Sequence, residues 1–286
     1  MSAKSLDTLV AKAGDLRAIS AVAKRVLDLI NADHATAVIL GEALSKDQSL
    51  AAHILKVANS AFYSLPREIT TLPMAVSVLG LRNLRDQILV ATTRGTYKRF
   101  GITEKMLWSH SVACAIAARL LAKRYAPRLA EDAFICGLLH DVGKVILDNE
   151  CPSEFTEAMM LIYNEGYSSI RAEKEIFGYS HTQVGAMISR NWNYPPIITE
   201  VTFQHHNNEE PRPPIDDPDL LSVLACVDLA NLTCKVLGIG YREPKPETSM
   251  EAQPAAEMLN IPAPHLAELV DRVKEAYEKE SAGWAI

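Results

Sequence analysis

Seven residues of this chain could together bind metal: His110, His140, Asp141, His181, His205, His206 and Asp228. They run His … His-Asp … His … His-His … Asp through stretches that otherwise read as apolar helix. Imidazoles and carboxylates inside apolar helices are costly unless something compensates them. A metal centre compensates several at once. Nitrogen and oxygen donors without thiolate suit Fe, Mn, Ni, Mg or Zn. Five histidines and two aspartates suffice for two divalent ions with open positions. Such a pair of ions can hold a phosphoryl group and activate water.

Each residue also has a plainer reading. His110 sits one turn inside MLWSHSVACAIAARLLAKRY (106–125), where a lone histidine is more often a satisfied core residue. His140 and Asp141 adjoin in EDAFICGLLHDVGKVILDN (131–149), read as one apolar run. Helical neighbours point about 100° apart, so the two reach one ion only at the edge between them, or the carboxylate bridges two ions. Lys144 follows, either a solvated lysine or a cation offered to a phosphate. Ser180 and Gln183 fit a capping box, which places His181 in a first helical turn where anions are favoured and a neutral imidazole is expected. His205 and His206 end an apolar helix and could serve only as its cap. Asp228 is the lone acid of an apolar stretch of LLSVLACVDLANLTCKVLG (220–238) and needs a partner. His34, His53 and His265 lie in ordinary amphipathic surroundings and are assigned no chemistry.

The elements that must position these groups are helical throughout. Leu72, Ala75, Val76 and Leu79 recur at helical spacing, with Pro73 near the start and Gly80 at the end. Leu50, Ile54 and Val57 form a similar face after a cap at Asp47. No alternating run argues for a sheet, so an all-α fold is predicted. Residues 1–98 form an N-terminal lobe with few candidates for chemistry, 99–240 hold the clustered histidines, and 241–286 form a C-terminal helical extension. The acid- and proline-rich NNEEPRPPIDDPD (207–219) reads as a surface loop, and SAGWAI (281–286) as a frayed or docked tail. A net charge of −6 without a basic run argues against nucleic acid as a partner. The five cysteines form no CxxC pair and read as buried free thiols of a reducing compartment. With no signal core and no stretch clean enough to span a bilayer, a cytoplasmic location without membrane contact is expected.

HDVGK (140–144) resembles the signature doublet of the HD superfamily of metal-dependent phosphohydrolases. ILKVANSAFYSLPREITTLPMAVSVLGLRNLRDQIL (54–89) resembles the N-terminal half of the HDOD family, the HD-related output domain of bacterial signalling proteins. WSHSVACAIAARLLA (108–122), AFICGLLHDVGK (133–144), YSHTQVGAMISRNWNYPPIITEVTFQHH (179–206) and ACVDLAN (225–231) continue the likeness, which covers roughly residues 15–240. The resemblance implies a multi-helix bundle with an HD core and an N-terminal lobe, and a role in signal transduction through other signalling proteins. It also implies that His110, His140, Asp141 and Asp228 match the four-residue HD metal set. Asp141 would bridge to a second ion on His181, His205 and His206, as in the HD-GYP cyclic-dinucleotide phosphodiesterases. Lys144 would match their phosphate-contacting lysine. NNEEPRPP stands where the GYP segment is expected, which argues against cyclic di-GMP.

Two functions follow. One is a regulatory module whose output is protein contact, with the metal structural. The other is a phosphohydrolase or phosphodiesterase acting on a nucleotide-type or other phosphate ligand, with Asp141 and Lys144 as catalytic residues. Retention of all seven candidate ligands favours the second; the family likeness favours the first.

Overall fold

The computed structural model describes residues 5–13, 20–30, 32, 35–60, 63, 68–192, 194–206, 209, 213–247, 249–250 and 253–281. His34, most of 207–212 and the tail 282–286 fall outside this set, and so do the expectations placed on them. Every element among the described residues is helical, as the patterning predicts. The helices sort into two compact units, one of residues 1–16 with 97–277, the other of 17–96 with 278–286.

The first helix, α1 (Leu6–Ala13), belongs to the larger unit. The smaller unit is built on α2 (Ala21–Ile30), α3 (Ala37–Leu44), α4 (Gln48–Ala58) and α5 (Leu72–Arg94). Asp47 caps α4 as expected, its carboxylate accepting from the Leu50 amide at 3.0 Å. Gly80 interrupts α5 with a φ of 73°, so the predicted helix end is a kink after which the helix resumes. Leu40, Leu44, Ile54, Val76, Leu84 and Ile88 share this unit's core. His53 is held by Gln87 at 3.0 Å, an ordinary polar contact.

The larger unit continues with α6 (Ile102–Tyr125), α7 (Ala130–Leu139), α8 (Val142–Glu150), α9 (Pro152–Glu165), α10 (Ser169–Phe177), α11 (His181–Asn191), α12 (Pro196–Gln204), α13 (Pro218–Leu237), α14 (Pro254–Met258) and the long α15 (Ala263–Ser281) up to residue 277. α6 is buried on nearly every face, and its alanines 113, 115, 117 and 118 let α7 and α13 approach closely. α13 is apolar and long enough, by length and composition, to cross a bilayer, contrary to the sequence expectation; here it packs on α6 and α7. α1 lays Leu9 and Val10 into a cluster with Ile146 of α8 and Phe155 of α9. Fully burying one such side chain is worth about 1.5–3 kcal/mol. Lys12 of α1 pairs with the buried Glu150 at 2.9 Å. His265 accepts a 2.8 Å hydrogen bond from Arg124 and contacts the Tyr125 hydroxyl at 2.9 Å, which ties α15 to α6.

The stretch 131–149 is not one helix. α7 ends at Leu139 and α8 starts at Val142, with His140 and Asp141 in the junction. The break is accompanied by a close approach at Gly143. A Cβ there would stand 1.9 Å from the His181 carbonyl oxygen, so the start of α8 touches the start of α11 backbone to backbone. A helix running straight on from α7 would not make that approach.

Candidate metal centre

Two helix C-termini supply imidazoles in the same way. His140 is the C-cap of α7, and its Nδ1–H donates to the Gly137 carbonyl at 2.8 Å. His205 is the C-cap of α12, and its Nδ1–H donates to the Thr202 carbonyl at 2.9 Å. In each case the acceptor is a last-turn carbonyl, which otherwise lacks a partner. A carbonyl only accepts, so the proton is fixed on Nδ1 and the Nε2 lone pair points inward. His205 therefore is a cap, as one reading of the sequence had it, and is a candidate ligand by virtue of that.

His181 opens α11 beneath the predicted capping box of Ser180 and Gln183. Its Nδ1 meets Glu173 Oε2 at 2.7 Å, and the same oxygen accepts from the His181 amide at 2.6 Å. Glu173, buried on α10, escaped the sequence reading. It is one of two acids on an amphipathic helix, beside Glu175, and tertiary packing turns it inward. His110 comes from the middle of α6.

These rings converge on one carboxylate. Asp141 Oδ2 lies 3.5 Å from His110 Nε2 and 3.4 Å from His140 Nε2, while Oδ1 lies 3.2 Å from His181 Nε2 and 3.5 Å from His205 Nε2. The Nε2 atoms pair at 3.3 Å for His110 and His140 and at 3.2 Å for His181 and His205. Two groups with donors within 4.8 Å of one another result: His110, His140 and Asp141, and Asp141, His181, His205 and His206. Asp141 is common to both. Tetrahedral ligands at 2.0–2.1 Å from an ion stand about 3.4 Å apart, close to these spacings.

The electrostatics agree with that fit. Burial first of all lowers His110 and His205 to about 3 and His140 and His206 to about 4, so these rings are neutral near pH 7. Burial opposes charge on His181 too, but the Glu173 and Asp141 carboxylates together outweigh it and raise the pKa. The neutral His181 expected from a helix start is thus corrected by an acid from another helix. Burial works against the Asp141 charge, yet Lys144 and His140 hold it well below the usual range. Lys144 Nζ donates to Asp141 Oδ2 at 2.8 Å, so it is an interior ion pair rather than a solvated lysine. Acceptor atoms crowded this closely require a cation among them, either a proton or a metal ion.

Asp228 does not join either donor group. Partial burial at the cavity wall raises its pKa well above the carboxylate range, and its Oδ1 has no hydrogen-bond partner. His206 Nε2 is likewise unpartnered. Both residues line the same cavity of about 790 Å³ as Asp141, Lys144 and His110. The cavity therefore exposes the centre on one side, together with two buried polar atoms that lack partners.

Residues 16–208 match the HDOD domain. The chain is similar over 97% of its length to 98% of a crystallised HDOD domain protein of unknown function from Geobacter sulfurreducens, with 24% identity and a TM-score of 0.76. A proposed phosphohydrolase from Shewanella amazonensis SB2B shares 22% identity and a TM-score of 0.71, covering 99% of this chain and 97% of that one. An uncharacterized protein of Treponema pallidum (strain Nichols) is 29% identical over 205 residues, 68% of this chain. The aligned segment spans 37% of that curated relative.

Proposed function

The chain belongs to the HDOD domain family, and on that premise we propose that it is a bacterial signalling protein whose divalent-metal centre acts on a phosphoester. The observation that carries this reading is the convergence of four Nε2 atoms on the two oxygens of Asp141 at 3.2–3.5 Å, beside an open cavity. His110, His140 and Asp141 would hold one ion, and Asp141, His181, His205 and His206 a second; Fe, Mn, Ni, Mg or Zn fits these donors. When bound, such ions supply Lewis acidity toward a phosphoryl oxygen and toward water. The chain's own groups do the rest. The carbonyls of Gly137 and Thr202 and the carboxylate of Glu173 fix ring orientation, as outer-shell partners do in metal sites. Lys144, already at the cavity wall, offers a cation to a phosphoryl oxygen. Asp228, whose burial favours the neutral acid, can donate to an anionic ligand or be drawn in as a further ligand. The five cysteines are free and buried, which supports a reducing, cytoplasmic setting.

Metal analysis of freshly purified protein and a panel of phosphomonoesters, phosphodiesters and nucleotides test the reading. We expect bound divalent metal and metal-dependent turnover, reduced at least about 100-fold by Asp141→Ala. Turnover unchanged by Asp141→Ala refutes it. A second reading, output through contact with other signalling proteins, is favoured by exposed Val38 and Ile39 on α3 and Met74 and Leu81 on α5. It prevails if metal is present but nothing on the panel turns over.

A further inference from the structure

The cavity extends well past the metal centre. Helix α13 lines it with one stripe, Leu221, Leu224, Asp228, Asn231 and Lys235, at helical spacing. At 1.5 Å per residue the stripe is about 21 Å long, whereas a phosphate beside Lys144 occupies a small part of that length. The stripe is graded. Its C-terminal half carries Asn231 and Lys235 beside Leu232, Asp228 sits at the midpoint, and its N-terminal half is Leu221, Leu224 and Ala225. The chain just before α13 adds Pro213, Pro214 and Ile215 to the lining. None of these six side chains carries a donor or acceptor, and the prolines have no N–H. A nucleobase laid on this wall finds no hydrogen-bond partner in it, although Pro213 and Pro214 are exposed at its rim and Ser168, Ser169, Glu209 and Gln253 line the cavity from other segments. An apolar group gains there, by about fourfold in affinity for each methylene buried.

We infer that this arm of the cavity receives the organic group of the substrate, and that this group is apolar: an alkyl or aryl phosphoester, not a nucleotide. The inference rests on the phosphoester reading and narrows it. The phosphate end lies at Lys144 and the Asp141 cluster, and the apolar body runs toward Leu221.

The test is titration calorimetry on the full chain loaded with Mn²⁺, using inorganic phosphate, methyl, butyl and hexyl phosphate and uridine 5′-monophosphate as probes. Inorganic and methyl phosphate should bind alike, and hexyl phosphate about 30-fold or more tighter than methyl phosphate. Uridine monophosphate should bind more weakly than hexyl phosphate. Leu221→Ser and Ile215→Ser, both at half-buried positions, should each cut the hexyl gain by about tenfold while leaving inorganic phosphate unaffected. Three outcomes overturn the inference and leave the metal-centre reading intact: flat affinity along the alkyl series, a gain insensitive to both substitutions, or tighter binding of the nucleotide. Absence of metal-dependent binding of inorganic phosphate defeats the underlying reading, and this inference with it.

Discussion

At the scale of single residues, one carboxylate organises four imidazoles, and a second carboxylate organises one of them. Glu173 touches no cavity ion site directly; it acts through the His181 ring, 2.7 Å away. Glu173→Gln keeps the shape and removes the charge. Divalent affinity should fall about 10–100-fold, measured by competition with a chromogenic chelator, while the circular dichroism spectrum stays unchanged. The pH dependence has a definite sign. The raised pKa of His181 means that its proton must leave before an ion can bind. Affinity should therefore climb with pH until His181 has lost that proton and level off above. Glu173→Gln should shift the levelling point to lower pH and reduce the proton release seen by calorimetry in buffers of different ionisation enthalpy. His110, His140, His205 and His206 add little to this release, because burial already keeps them neutral.

At the scale of elements, the centre depends on where helices stop. His140 and His205 are aimed by helix C-termini, His181 by a helix start, and the 140–141 junction by the close approach of α8 to α11. Gly143→Ala would drive a methyl group onto the His181 carbonyl, which is backbone and cannot swing aside. Overpacking of this kind costs about 1–3 kcal/mol or more. We expect a lower midpoint in denaturant together with lost metal binding, because the same contact positions Asp141 and His181. Helix boundaries are also where reading from sequence parted from the structure. Caps written in local chemistry, Asp47 and the Ser180–Gln183 pair, were legible, as was the helical period of nearly every element. The break at His140 was not. EDAFICGLLHDVGKVILDN keeps an apolar period across it, and the contact that accompanies the break, Gly143 against the His181 carbonyl, is tertiary. Glu173 leaves no signal in the sequence for the same reason, and Asp228, a candidate ligand by its place in an apolar helix, lies outside both donor groups.

At the scale of the whole molecule, two units with separate cores carry one centre, and all of its donors belong to the larger unit. Ion binding should therefore stabilise that unit selectively. Two of the three tryptophans, Trp108 and Trp192, report on it, so Trp284→Phe leaves a signal from that unit alone. In thermal melts, Mn²⁺ should raise the transition followed by tryptophan fluorescence more than the change in total helicity. Acid should do the reverse. Four histidines whose folded pKa lies near 3–4 resist protonation that the unfolded chain accepts from about pH 6.5 downward. Stability without metal should thus fall as pH drops from about 6.5 toward 4, by up to about 2 kcal/mol per histidine at pH 5. His181, with its raised pKa, offsets part of this loss. The spacing of the donors along the chain carries a consequence of another kind. His110, Asp141, His181 and His206 are separated by roughly 30, 40 and 25 residues. Two ions held in the two groups that share Asp141 are cross-links that together close three loops, and they act on the denatured ensemble by removing conformers from it. Stripping the ions would then restore that lost chain entropy, and the apoprotein would have to close those loops through apolar contacts alone.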